Sequence, residues 1–194
     1  MAAGKARRSG DGSAMRLRRP VVLVGMMGSG KTAIGRALSA RLGCGFVDSD
    51  TAIEEAAKCS IAEIFARDGE AFFRARESEV LERLLEAGPR VVSTGGGAFL
   101  APRNRDAIAA RGAALWLDAD LDLLWERVRH KSTRPLLRTP DPRGTLSRLL
   151  DERRPIYAEA PMRLVARPGD SIEVTTDRVI ETLAQRPDIL ETRP

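Results

Sequence analysis

The chain has 194 residues, enough for one domain with a substantial core, and its 43% hydrophobic and 30% charged content are ordinary for a globular protein. No run approaches the roughly 18 apolar residues that span a bilayer, and the first residues carry no apolar leader. Cys44 and Cys59 are too few for a disulfide framework and are not spaced as a metal clip, so reduced thiols and a cytoplasmic location are expected. The net charge of +5 is local: residues 1–19 hold Lys5, Arg7, Arg8, Arg16, Arg18 and Arg19 against Asp11, and the remainder balances 26 basic against 26 acidic side chains. The excess therefore belongs to a Gly/Ser/Ala/Arg tail that is expected to be disordered and solvated, with no nucleic-acid or membrane partner.

Val21–Val24 reads as a buried strand and leads into Gly25-Met26-Met27-Gly28-Ser29-Gly30-Lys31-Thr32, which fits the phosphate-loop pattern. Ile34, Leu38 and Leu42 then recur at helical spacing over 31–42. The context decides the reading of the loop. Phosphates need several backbone N–H groups, glycines that let the chain wrap closely, and a helix N-terminus beneath. Gly28, Ser29, Gly30, Lys31, Thr32 and Ala33 are the candidate nucleotide contacts, with Lys31 reaching the terminal phosphates of ATP and the Thr32 hydroxyl on Mg²⁺.

A short strand over 45–47 runs into Asp48-Ser49-Asp50, and a helix is expected from Thr51. Ser60 and Glu63 form a capping box for another helix, which stops near Gly69 and resumes over 70–87. Strands at 90–93, 113–117 and 163–165 alternate with helices at 102–111, 120–129, from about 145, and 174–185. This alternation predicts one α/β domain: a parallel five-stranded sheet with helices on both faces and its site at the carboxyl ends of the strands. Phosphate loop, Asp48 and Asp50, and the Gly95-Gly96-Gly97 turn each follow a strand, so three strand ends converge on one rim.

Phosphoryl transfer asks for positioning and charge neutralisation. On an extended segment Asp48 and Asp50 face one side, where one could serve hydrated Mg²⁺ and the other accept a hydrogen bond from the acceptor hydroxyl; a helix N-cap is the competing role. The glycine triplet suits close approach of backbone to a ligand. Arg74 with Glu77, and Arg153 beside Arg154, read from spacing alone as helix-surface charges. Residues 130–143 are basic, proline-bearing and non-periodic, the composition of a mobile lid, with Arg134 the candidate to meet charge on the transferring group. His130 neighbours no nucleophile and reads as a solvated loop residue; Trp116 and Trp125 read as core.

With these motifs in order, the chain resembles the shikimate kinase family over about Val21 to Leu183. The resemblance rests on Gly-Met-Met-Gly-Ser-Gly-Lys-Thr, Phe-Val-Asp-Ser-Asp, Phe-Phe-Arg-Ala-Arg-Glu, Ser-Thr-Gly-Gly-Gly-Ala, Arg-Pro-Leu-Leu and Arg-Arg-Pro-Ile-Tyr. It implies a P-loop NTPase-type kinase domain over 20–194 behind the tail of 1–19, with a mobile lid. The implied reaction moves the γ-phosphate of ATP to the 3-hydroxyl of shikimate, in a monomer. It further implies that Lys31, Asp50 and Arg134 are catalytic, and that Asp48 meets Mg²⁺ through water. Asp50, Arg74, Gly95, Gly96, Gly97 and Arg153 would hold shikimate, with Glu77 orienting Arg74. Arg127 and Arg134 join the nucleotide contacts, Arg127 stacking on adenine. Two departures stand out: Thr32 occupies a position where the family often has serine, and Ala166-Arg167-Pro168-Gly169-Asp170 does not follow the usual adenine-loop pattern. The alternatives are a kinase for another hydroxy acid such as gluconate, or a ligand-binding regulator without turnover.

Overall fold

The computed structural model describes residues 15–130, 137 and 139–192. Five strands, β2 (Val21–Val24), β3 (Gly45–Asp48), β4 (Arg90–Ser93), β5 (Ala113–Asp118) and β6 (Met162–Val165), form one sheet in the order β3-β4-β2-β5-β6, and every neighbouring pair is parallel. Chain order explains the site. From β2 the chain goes out to the edge strand β3, returns to β4 beside β2, then crosses to β5 on the other flank. The crevice at the carboxyl end of β2 is therefore the topological switch point, where doubly wound sheets bind ligands.

Period-two alternation sorts the strand side chains into two cores. Val21, Leu23, Val91, Ala113, Leu115 and Leu117 face α1 (Lys31–Leu42) and α7 (Ile172–Ala184), meeting Ile34, Leu38, Val179 and Leu183. Val22, Val24, Val92, Ala114 and Trp116 face the opposite layer. That layer comprises the second half of α3 (Ile61–Glu86), α4 (Pro102–Arg111), α5 (Leu121–Val128) and α6 (Pro142–Tyr157). Trp116 is buried and Trp125 packs partly buried against the same core, as expected. What chiefly holds the layers together is burial of both sheet faces, each Å² of apolar surface removed from water contributing about 25 cal/mol.

A third, smaller cluster of Ile53, Ile64 and Phe73 joins α2 (Ser49–Ala57) to α3 beside the sheet edge. The capping box is formed: the Ser60 hydroxyl accepts from the Glu63 N–H at 3.3 Å and the Glu63 carboxylate accepts from the Ser60 N–H at 2.7 Å. Gly69 breaks the helix at φ 81°, where the sequence predicts a stop. The second half therefore turns independently, carrying Arg74 and Glu77.

The basic segment departs from its expected disorder over residues 15–19. Strand β1 (Met15–Leu17) pairs antiparallel with β7 (Leu190–Thr192), Leu17 is buried, and Arg19 donates to the carbonyls closing α4, Ala109 at 3.2 Å and Ala110 at 2.9 Å. Residues 1–14 lie outside the described residues, as do positions 131–136 and 138 of the expected lid, Arg134 among them. Helix α6 begins at Pro142, three residues before its expected start, because Asp141 caps it and Pro142 enters at the first turn, where a missing N–H costs nothing. Among the described residues no helix is long and apolar enough to cross a membrane.

Candidate active site

The loop after β2 wraps a cavity of about 550 Å³, within the range of small-molecule sites. Gly28 adopts φ 84°, and a Cβ there would stand 2.7 Å from the Val128 side chain, so only glycine lets the loop lie this close to α5. Gly30, also left-handed, passes directly into the N-terminus of α1, whose first N–H groups face the cavity. Gly28 to Thr32 and Ala33 all line it. The Ser29 Oγ is buried and has no hydrogen-bond partner among the described residues. A phosphate oxygen in this cradle would supply one.

Lys31 is 8% exposed, and its Nζ donates to the Gly25 and Met26 carbonyls, each at 2.9 Å. A buried ammonium held on its own loop is placed to move to a phosphate without first being desolvated. The Thr32 hydroxyl donates to Asp48 Oδ2 at 2.8 Å and lies 3.3 Å from Ser93 Oγ at the end of β4. Sequence reasoning misses Ser93, buried at this strand end; a serine between two valines and Thr94 carries no distinguishing pattern.

Alternation predicts that the two aspartates share an extended segment, and they do not. Asp48 ends β3 and caps α2, accepting the Asp50 N–H on Oδ1 at 3.1 Å, so α2 starts at Ser49 rather than Thr51. Asp48 thus takes the N-cap role with one oxygen, while the other accepts the Thr32 hydroxyl. Asp50, turned by the first helical turn, points toward the glycine triplet instead.

That triplet gathers the predicted acceptor contacts. A Cβ on Gly95 would lie 2.6 Å from Asp50 Oδ1, one on Gly96 3.7 Å from an Arg153 Nη1, and one on Gly97 2.5 Å from Arg74 Nη1. Asp50 from α2 and Arg74 from α3 lie so close that Gly95 and Gly97 leave no room for a Cβ, whereas Gly96 stands at ordinary contact distance from Arg153 of α6. Gly95 and Gly96 line the cavity with Asp50, whereas Gly97, Arg74 and Arg153 sit just behind them. The Gly95 N–H donates to Ser49 Oγ at 3.3 Å, tying the triplet to the start of α2.

Arg74 donates to Glu77 Oε2 at 2.9 Å and to Glu70 Oε1 at 3.1 Å. Glu77 is 2% exposed, unlike a solvated helix-surface pair. Burial pushes its carboxyl above the ordinary range, more than the adjoining Arg74 lowers it, and Asp50 nearby adds to the rise. Arg74 feels burial opposing its charge, but Glu77 and Glu70 outweigh it and leave its pKa raised. On the far side of the loop, Arg127 Nη1 donates to the Gly28 carbonyl at 3.3 Å, and the cavity continues past it to Leu164, Ala166, Asp170 and Ile172. The loop whose sequence departs from the usual pattern is therefore one wall of the cavity. His130 is exposed, and Cys44 and Cys59 are unpaired.

A phosphate loop at a switch point, with an acidic and arginine-backed pocket beside it, defines a small-molecule kinase. The shikimate kinase family model matches residues 27–184, and the chain belongs to that family. It is 60% identical over 181 residues to the shikimate kinase of Ruegeria pomeroyi, covering 93% of each chain, and 59% identical over 177 residues to that of Cereibacter sphaeroides, covering 91% of this chain and 88% of the relative. Among solved structures, shikimate kinase from Acinetobacter baumannii in complex with shikimate superposes with a TM-score of 0.81 at 35% identity, over 87% of this chain and 95% of that one. A gluconokinase from Sinorhizobium meliloti shares the fold at a TM-score of 0.52 and 19% identity. The chain is thus an enzyme, a kinase whose phosphoryl donor is ATP.

Proposed function

We propose that this chain transfers the γ-phosphoryl group of ATP to the 3-hydroxyl of shikimate, releasing 3-phosphoshikimate and ADP. The observation that carries the reading is the convergence of Asp50, Arg153 and Arg74 on three successive glycines beside the phosphate loop. An acid to hold ring hydroxyls and two guanidiniums to hold a carboxylate suit a cyclic hydroxy acid. Guanidinium forks match a carboxylate in a planar, two-point way.

Residue by residue, the loop N–H groups from Gly28 to Ala33 cradle the phosphates and Lys31 neutralises the charge that grows on them. Asp50 accepts the hydrogen bond of the acceptor hydroxyl and orients it in line. Arg74, oriented by Glu77, and Arg153 clamp the substrate carboxylate, while Gly95 to Gly97 give it room. Mg²⁺, when bound with ATP, would supply charge neutralisation on the phosphates. Thr32 is a hard oxygen donor that would hold that ion, and Asp48, joined to it by a 2.8 Å hydrogen bond, would hold it through water. Arg127 packs against adenine. Arg134 lies outside the described residues, and its role as the lid arginine rests on the resemblance.

Phosphate loop and acceptor pocket come from one chain, which supports a monomer, and two unpaired cysteines support the reducing cytoplasm. The test is a coupled ADP-release assay with shikimate, quinate, gluconate and nucleoside monophosphates. Turnover with shikimate is expected; turnover with gluconate and none with shikimate would overturn the assignment.

A further inference from the structure

Tyr157 is the only tyrosine of the chain, fully buried in the last turn of α6, one turn beyond Arg153. Its ring packs against Trp116, with centroids 6.2 Å apart, so apolar contact alone would hold an aromatic residue here. The hydroxyl does something packing does not require. It donates a hydrogen bond to the Gly96 carbonyl, and the Arg153 guanidinium reaches the same phenolic oxygen. It also stands 3.9 Å from Met26 Sδ in the phosphate loop. Gly96 lies against that loop as well, since a Cβ on it would be 3.7 Å from both the Gly25 carbonyl and the Met27 nitrogen.

The hydroxyl therefore sits where three functional parts meet: the middle glycine of the acceptor loop, one arm of the arginine clamp, and the phosphate loop. Burial raises its pKa to about 12, so it remains a proton donor through the working pH range. Without it, the Gly96 carbonyl would lose a buried partner, and Arg153 would lose a hydrogen-bond acceptor.

We propose that Tyr157 is a positioning residue for the acceptor site, its hydroxyl locking Gly96 and Arg153 in the register that receives the substrate carboxylate. The proposal rests on the reading of Asp50, Arg74 and Arg153 as the shikimate pocket.

Tyr157→Phe keeps the ring and removes only the hydroxyl. Expected is a rise in shikimate KM of about tenfold, the scale of one lost hydrogen bond to a charged or buried partner. The ATP KM should stay near wild type, and the melting temperature should fall by a few degrees at most, the scale of one hydrogen bond lost from a chain of this size. A second measurement needs no substitution. Biosynthetic replacement of tyrosine by 3-fluorotyrosine labels position 157 alone, and its fluorine resonance should shift on saturation with shikimate and much less with ADP. The proposal is overturned if both KM values stay within about twofold of wild type, if they rise in parallel, or if shikimate leaves the resonance unmoved. A wild-type enzyme inactive on shikimate would instead sink the reading of the pocket itself, and this proposal with it.

Discussion

Arg74 and Gly97 touch so closely that a methyl group cannot be placed between them: a Cβ on Gly97 would stand 2.5 Å from Arg74 Nη1 and 2.8 Å from its Cζ. Gly97 has φ −95°, so its backbone would accept an alanine without strain. The glycine is demanded by the arginine, not by the turn. Gly97→Ala should therefore fold, because the guanidinium can swing away, but the clamp would be displaced. The expected result is a shikimate KM raised about tenfold or more with a melting temperature near wild type. A normal KM in steady-state kinetics would show that Arg74 does not contact the substrate from this position.

The clamp itself is tested by keeping the charge and changing its shape. Arg74→Lys and Arg153→Lys retain a cation but lose the planar fork, so each should raise the shikimate KM far more than the ATP KM. Equal rises in initial-rate measurements with both substrates varied would contradict a carboxylate clamp.

Glu77 supplies a pH-dependent test. Burial raises its folded-state pKa above the ordinary 4.5. A raised carboxyl pKa contributes stability that is present below the unfolded value and is lost as pH rises through the folded one. Wild type should accordingly lose this increment as pH rises above the ordinary 4.5 and through the raised folded value, and Glu77→Gln should not. Melting curves taken upward from the ordinary carboxylate range are expected to show the variant gaining on wild type as pH rises. The same variant should bind shikimate more weakly, because Arg74 loses the 2.9 Å carboxylate contact that orients it. A variant that loses stability relative to wild type as pH rises would show that the ion pair outweighs burial.

Much of this site is legible in the chain because its local chemistry is self-announcing. Glycines at 28 and 30 followed by Lys31 and Thr32, between a valine-rich strand and a periodic helix, admit few other readings, and the five strands follow from apolar runs separated by helices. Arg74 is different. An arginine three residues before a glutamate looks the same on a solvated helix as over a pocket, and only the tertiary approach of Gly97 separates the two. Asp50 shows how a local rule is overridden: alternation would put it beside Asp48, but the capping carboxylate of Asp48 starts the helix at Ser49 and turns Asp50 toward Gly95. The β1–β7 ribbon escapes detection because each strand has three residues and the partners are at opposite ends of the chain. Charge counting hides Leu17 among arginines.

That ribbon separates two truncations. Removing residues 1–14 takes away no described contact and leaves Met15 to pair with Thr192, so kcat and melting temperature should be unchanged. Removing residues 1–19 deletes β1, the buried Leu17 and the Arg19 bonds to α4, and should lower the melting temperature by several degrees, as expected for losing a fully buried leucine worth roughly 1.5–3 kcal/mol. Equal melting temperatures for the two shortened chains by calorimetry would show that the ribbon adds nothing to the fold.

On the proposed reading Lys31 and Thr32 divide the donor side between them, and the two roles can be taken apart by the metal requirement of each variant. Lys31→Ala removes the cation while leaving the Thr32–Asp48 hydrogen bond of 2.8 Å in place. It should lower kcat by about a hundred- to a thousandfold, the scale of deleting one preorganised charge-stabilising group, with the Mg²⁺ dependence unchanged. Thr32→Val keeps the side-chain shape but deletes the oxygen, and Thr32→Ser restores it. The valine variant should need more Mg²⁺ for half-maximal rate, and the serine variant should behave as wild type, because only the hydroxyl is in question. Magnesium titrations at saturating ATP and shikimate read this directly. If the valine and serine variants need the same Mg²⁺, the Thr32 hydroxyl does not serve the ion.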